Sequence, residues 1–332
     1  VIEKPYLLFL GDAPDPLAAK TADGVARWRP ENCVGQLRLP GCQADLGLPD
    51  LSVAEAAGRG AKTLIIGVAN RGGRLSEAWL PDLLAALHAG LDLANGLHQR
   101  LSALPELVQA AQALGRRLID VRQPETEFEV GNGRKRPGRR LLTVGTDCST
   151  GKMYTALALE RDMRARGWDA EFRATGQTGI LIAGGGVCID AVVADFISGA
   201  VEALAPAHAP DHWDVIEGQG SLFHPSFAGV SLGLLHGAQP DILIMCHEPT
   251  RPHMRGVPGY ALPSLEACIA ANESAARLTN PAARCVGLSI NTAQLPPDEA
   301  ERLLAETQAR LGLPCVDPLR TGVGALVDQL EG

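Results

Sequence analysis

The sequence is short of aromatic residues, of positive charge and of paired cysteines. Phe, Trp and Tyr together make up 4% of its 332 residues, too few stacking platforms for a protein that reads bases. Lys and Arg number 30 against 38 Asp and Glu, a formal net charge of −8. The global basic field of a nucleic-acid-binding protein is therefore missing. No apolar run reaches membrane-spanning length. The first one, Tyr6–Leu10, is too short for a signal-peptide core and is closed at once by Gly11-Asp12. The eight cysteines include no C-x-x-C pair, so zinc spacing is absent, and a chain this long has no need of a disulfide framework. These absences leave a cytoplasmic protein with reduced, mostly buried thiols and neither a nucleic-acid nor a membrane partner. Glycine (37) and proline (23) are plentiful, and hydrophobic residues reach 46%. That is the composition of a globular α/β protein, and the length favours two domains with separate cores.

Two stretches of strand–helix alternation flank a polar segment. Over 1–121 the apolar runs predict strands at 6–10, 63–69, 90–96 and 116–121. The second strand leads into the turn Asn70-Arg71-Gly72-Gly73. A helix starts at Ser76, with apolar Leu80, Leu83, Leu84 and Leu87, and another covers about 102–114. Such alternation implies a parallel sheet covered on both faces, a Rossmann-like α/β domain. Residues 122–140 carry no apolar period and read as a linker. Five of the seven residues from Arg134 to Arg140 are basic. That run is open to three readings: a solvated linker, a phosphate or nucleic-acid contact, or a segment beside an anionic cofactor bound just downstream. Over 141–332 the alternation resumes, with strands at 141–145, 169–174, 213–218, 241–247 and 285–291. Helices are expected at 152–166, 189–204, 264–278 and 297–311.

The strongest chemical signal is Gly145-Thr146-Asp147-Cys148-Ser149-Thr150-Gly151-Lys152-Met153, between a strand and a helix. Glycines let backbone N–H groups close on phosphate oxygens, the helix start adds a positive dipole, and Lys152 adds a point charge. This P-loop departs from G-x-x-x-x-G-K-[ST] by one extra residue and by Met153 in place of the hydroxyl that reaches Mg²⁺. The longer spacing resembles the loop of dethiobiotin synthetase and its relatives, and it suits a P-loop NTPase-like three-layer α/β/α domain. In that class an Asn placed like Asn291 faces an adenine. Cys148 sits near a helix start, where a thiol pKa can fall; otherwise a small residue is there for fit.

Other candidates lie at strand ends, where open α/β sheets bind ligands. Glu217, in Glu217-Gly218-Gln219-Gly220-Ser221, stands where a Walker-B-like group would hold Mg²⁺ or act as a general base. His224 follows on the same edge, and Asp190 comes shortly after Gly184-Gly185-Gly186. Arg173 and Gln177 flank a Gly/Thr-rich strand end. His247-Glu248 with His253 mimics a zinc-protease motif, but the second His is six residues on and Pro249 and Pro252 forbid the helix, so no metal site is expected. Arg251 and Arg255 remain as a pair suited to a dicarboxylate or phosphate, or as plain surface arginines.

GTDCSTGKMYTALALE, RATGQTGILIAGGGVCIDAVVADFISGA, WDVIEGQGSLFHPSFAGVSLGLLHGAQPD and CHEPTRPHMRG together resemble a bacterial family long described as a domain of unknown function. Its characterised members are D-glutamate N-acetyltransferases. PYLLFLGDAPDPLAAKTADGVARWRPE, GVANRGG and GLHQRL extend the resemblance to the N-terminal half. It implies acetyl transfer from acetyl-CoA to the amino group of D-glutamate; a homo-oligomer is the default expectation for such an enzyme. Residues 145–153 and Asn291 would hold the cofactor, and Arg173, Gln177, Arg251 or Arg255 the acceptor. Glu217, His224 or Asp190 would take the proton. The rival is an ATP- and Mg-dependent ligase or kinase resembling dethiobiotin synthetase, against which Met153 counts.

Overall fold

Apolar runs that are buried on both faces become the central strands of two parallel sheets. A computed structural model of the chain describes residues 1–330 except Arg71 and Glu125. Those two and residues 331–332 lie outside the described residues, including Arg71 of the expected Gly-rich turn. Two compact units result: Val1–Glu125 with Gly176–Ala191, and Thr126–Thr175 with Val192–Gly332.

The N-terminal unit holds β1 (Tyr6–Gly11), β2 (Cys33–Arg38), β3 (Thr63–Ile66), β4 (Asp92–Asn95) and β5 (Leu118–Asp120). They pair in parallel in the order β2-β1-β3-β4-β5. Every residue of β1, β3 and β4 is buried, and β1 and β3 run mostly apolar without alternation. Trp79 closes this core, edge-on to Phe9 at 5.5 Å. β2 is not apparent from apolar runs, because its buried centre is Gly35-Gln36. Gln36 donates to Asp45 (2.8 Å) and Asp50 (3.1 Å) and accepts from the Leu46 N–H (2.8 Å).

The C-terminal unit holds β6 (Arg139–Gly145), β7 (Ala170–Arg173), β8 (Trp213–Ile216), β9 (Ile242–His247), β10 (Arg284–Ile290) and β11 (Cys315–Val316). All pairs are parallel, in the order β11-β10-β9-β6-β8-β7. The helix Lys152–Ala165 follows β6, and the helix Pro297–Leu311 has the expected bounds.

Two expectations need correction. The predicted helix over 189–204 exists only as Ile197–Leu204, preceded by 3-10 turns at Ile189–Ala191 and Ala194–Phe196. The chain passes from one unit to the other between these two turns, at Ala191 and Val192. The two-domain division at 122–140 also placed 176–191 with the C-terminal half. That segment clusters instead with the N-terminal unit, because the helix Gln177–Ala183 packs on Lys20–Trp28. Ile182 approaches Gly24, Leu181 approaches Gly96, and the Ile2 N–H donates to Gly184 O at 2.7 Å.

Candidate functional site

β6 lies between β9 and β8, so the loops after these three strands meet at one edge of the C-terminal sheet. Gly145, the last residue of β6, pairs with Cys246 of β9. The loop then turns through Ser149, a non-glycine residue at φ 53°, and enters its helix at Lys152. Lys152 is buried, and its Nζ donates to Asp147 O at 2.8 Å and to Thr150 Oγ1 at 3.5 Å. Burial pushes its pKa down, so an incoming anion would restore a charge that the folded chain disfavours.

Asp147 organises the loop. Its Oδ1 accepts from the Cys148 N–H (2.7 Å), and its Oδ2 accepts from Arg251 Nη1 (2.7 Å) and the Arg255 N–H (2.8 Å). Burial alone would raise its pKa, but the Arg255 N–H and the Arg251 guanidinium outweigh it and hold the carboxyl below its ordinary value. Arg251 also donates to Cys148 O, to Ser149 O at 2.7 Å and to Glu248. Arg251 thus staples the loop after β9 to the phosphate loop. Arg255 is exposed and contributes its backbone N–H. Burial pushes the Cys148 thiol up, opposite to the fall expected at a helix start.

Glu217 and His224 face the same edge and are both buried. Glu217 Oε2 accepts from the Thr175 N–H at 3.0 Å, and Thr175 Oγ1 donates back to Glu217 O at 2.6 Å. His224 Nε2 donates to Arg255 O at 3.0 Å, and its Nδ1 accepts from the Ser226 N–H at 3.2 Å. Those partners fix a neutral tautomer. Ligand atoms of Asp147, Cys148 and His224 lie within 4.8 Å of one another, but a cation there would compete with Arg251 for Asp147.

The remaining candidates are placed differently. Arg173 Nε donates to the fully buried Asp214 at 2.6 Å, and its Nη2 meets His208 Nε2 at 2.9 Å. Its guanidinium is committed to that ion pair. Gln177 and Asp190 belong to the N-terminal unit. Gln177 starts a helix; Asp190 is exposed and accepts from the Cys188 thiol at 2.9 Å. Asn291 follows β10, with its N–H on His247 O at 2.8 Å and its side chain capping the Ala293 N–H at 3.1 Å. Met153 is half-buried. Thr155, the nearest substitute for the missing Mg²⁺ hydroxyl, donates to Gly151 O at 3.0 Å and shares a 2.7 Å bond with Ser289.

Sequence reasoning missed His247. Its Nδ1 lies 2.9 Å from Thr146 Oγ1, burial lowers its pKa, and its Nε2 meets no partner among the described residues. Its place as last residue of the strand beside the loop was the available signal, hidden by the false zinc motif.

The basic run does not serve this edge. At ~3.3 Å per residue, β6 separates its start from the loop by roughly 20 Å. Arg136 donates to Ala205 O (2.8 Å) and Gly237 O (2.7 Å), and Arg140 to Arg136 O, Pro137 O and Pro206 O. Arg136 and Arg140 of this run are thus bonded to main-chain carbonyls at the far end of β6 from the loop.

Comparison with known proteins fits this geometry. Residues 129–327 match the model of a P-loop domain of unknown function, DUF1611_C, and residues 37–124 match its Rossmann-like N-terminal partner, DUF1611_N. The chain belongs to the DUF1611 family. It is 56% identical over 330 residues to a D-glutamate N-acetyltransferase of Tritonibacter scottomollicae, with 99% of each chain covered. It is 52% identical over 329 residues to a protein of the same name from a Pseudoalteromonas species, again with 99% of each covered. Among solved structures, a DUF1611 family protein from Anabaena variabilis superposes with a TM-score of 0.83 at 33% identity, covering 99% of both chains. The family's two-part architecture, a Rossmann-like domain and a P-loop domain, is that of the two sheets described above.

Proposed function

We propose that the chain is a D-glutamate N-acetyltransferase that takes its acetyl group from acetyl-CoA. The observation that carries this reading is the full-length identity, 52–56%, to two relatives of that name. The geometry supports it at the donor end. CoA presents a diphosphate and a further phosphate, and the loop offers Lys152 and a helix start to anions. CoA binding asks for no Mg²⁺, which agrees with Met153 and with a Thr155 hydroxyl already bonded to Gly151 and Ser289.

The pantetheine arm carries the thioester well away from the diphosphate. With the loop as anchor, Glu217 and His224 hold the donor's cradle rather than touch the reacting carbon. The acceptor's ammonium must lose a proton before its nitrogen attacks the thioester.

The test is mass spectrometry of products after incubation with acetyl-CoA and a panel of D- and L-amino acids, without added Mg²⁺. Acetylated D-glutamate is expected. No acetylated product from any amino acid, or turnover only with Mg-ATP, overturns the reading.

A further inference from the structure

We infer that His247 is a further donor-binding residue: its Nε2 contacts the phosphate held by the loop and gains a proton from solution as that phosphate arrives. The inference rests on the acetyltransferase reading for CoA as the ligand, not for the contact with an anion.

The backbone sets the imidazole beside the loop. His247 is the last residue of β9, one place after Cys246, which pairs with Gly145 at the start of the loop. The Thr146 N–H donates to Cys246 O at 3.1 Å, and the Asn291 N–H to His247 O at 2.8 Å. The side chain turns to the loop, with Nδ1 2.9 Å from the hydroxyl of the fully buried Thr146. The ring is half-buried, so its open side is the one that carries Nε2. Neighbouring polar groups are taken. Glu248 accepts from Thr250 and Arg251, and Arg251 is spent on Glu248, Asp147 and two carbonyls of the loop.

The choice of partner separates His247 from His224. His224 Nδ1 faces the Ser226 N–H, which can only donate, so a proton on that nitrogen would have no acceptor there. Thr146 offers a hydroxyl instead. It donates to Nδ1 of a neutral imidazole and accepts from Nδ1 of a protonated one. His247 therefore keeps its bond to the loop in both protonation states, and in both it presents an N–H at Nε2.

The surroundings keep the ring neutral until an anion comes. Burial pushes its pKa down; Arg251 and Arg310 add to that push, and Glu248 opposes it. Both guanidinium groups already have carboxylate partners, Arg310 in Glu266 and Arg251 in Glu248 and Asp147. Lys152 is left as the cation that bonds only to oxygens of its own loop. The diphosphate of CoA carries more than one negative charge. A phosphate oxygen at Nε2 favours the imidazolium, so Lys152 and His247 meet the ligand together.

The test is calorimetric titration of the full chain with CoA at about pH 6 and pH 8, in buffers of different ionisation enthalpy, which reads the protons taken up on binding. His247→Asn keeps an amide in the place of Nδ1, within reach of Thr146, and has nothing at Nε2. It should weaken CoA about tenfold near pH 6 and less near pH 8, with proton uptake reduced. His247→Gln sets an amide nitrogen near the place of Nε2 and should recover affinity at pH 8 without the uptake. Protons exchanged by Lys152 and by CoA itself are common to all three proteins and cancel in the comparison. Wild-type affinity and uptake in His247→Asn overturn the inference. So does a loss of affinity that is equal at both pH values, the mark of a residue that only positions Thr146. Inorganic diphosphate and product analysis separate the two readings. If wild type acetylates D-glutamate while His247→Asn binds CoA as wild type does, the contact is wrong and the activity stands. If diphosphate binding depends on His247 while CoA neither binds nor reacts, the contact stands and the activity is wrong. Binding of neither ligand overturns both.

Discussion

The two ends of the C-terminal sheet are both charged, and they hold their charges differently. At the end where β6 starts, Arg140 is fully buried and bonded to main-chain carbonyls, Arg173 pairs with Asp214, and His212 pairs with Asp169 at 2.8 Å. His208 and His212 stack there with ring centroids 4.0 Å apart. The packing at this end nevertheless leaves Arg136 Nη1, Arg140 Nε, His212 Nε2 and Asp214 Oδ2 buried without a hydrogen bond among the described residues. At the end where β6 stops, fewer cations stand among the loops. Lys152 is desolvated and bonded only to the oxygens of its own loop. The density of charge in a sequence therefore says little about where an anion binds. Burial lowers the pKa of Lys152 and of Arg136 and Arg140 alike, so desolvation alone does not tell the two ends apart.

The comparison can be broken from either end. The largest effect is expected from Asp214→Ala, which leaves Arg140 buried without its ion-pair partner and Arg173 with Glu171 alone. A loss of about 3–5 kcal/mol is expected in urea unfolding, with the CoA affinity of the folded protein unchanged. Lost CoA affinity at unchanged stability would show the two ends to be misassigned. Next comes Lys152→Met. CoA binding should weaken about 10- to 100-fold by calorimetry without a lower unfolding midpoint, since the ammonium is disfavoured in the folded state. A destabilised variant that still binds CoA would reverse the assignment.

The smallest effects are those of pH. Asp147 is held below the ordinary carboxylate value, and so is Glu248, where bonds from Thr250 and Arg251 outweigh the upward push of burial. Their stabilising contribution is complete above the unfolded value of ~4 and is lost as pH falls through the lower folded values. Lys152 acts with the opposite consequence for binding. CoA affinity should be full below its depressed pKa and decline as pH rises through it, and Lys152→Met should flatten that decline. An alkaline profile identical in the two proteins would remove Lys152 from the donor site.

Legibility in the sequence followed the kind of interaction involved. β3 and β6 were readable because strands buried on both faces must be apolar. The phosphate loop was readable because its function constrains Gly151 and Lys152 locally. β2 was not, since Gln36 is a polar core residue whose partners, Asp45 and Asp50, come from a later loop. Arg173 looked like a ligand group for the mirror-image reason: its partner Asp214 lies 41 residues away. His247 and the Asp12–Trp79 pair depend on contacts across 101 and 67 residues. Apolar periodicity reports burial, whereas long-range polar pairing leaves no local trace.

The return of Gly176–Ala191 to the N-terminal unit sets an order of events during synthesis. Domains that are continuous in sequence can finish folding as soon as they leave the ribosome. Here the first unit lacks the helix Gln177–Ala183, with its buried Ile180, Leu181 and Ile182, until β6, the phosphate loop and β7 have already emerged. The early chain must carry an uncovered apolar surface through that interval. A fragment ending at the linker would keep it permanently, so an N-terminal piece cut at 122–140 lacks the helix Gln177–Ala183.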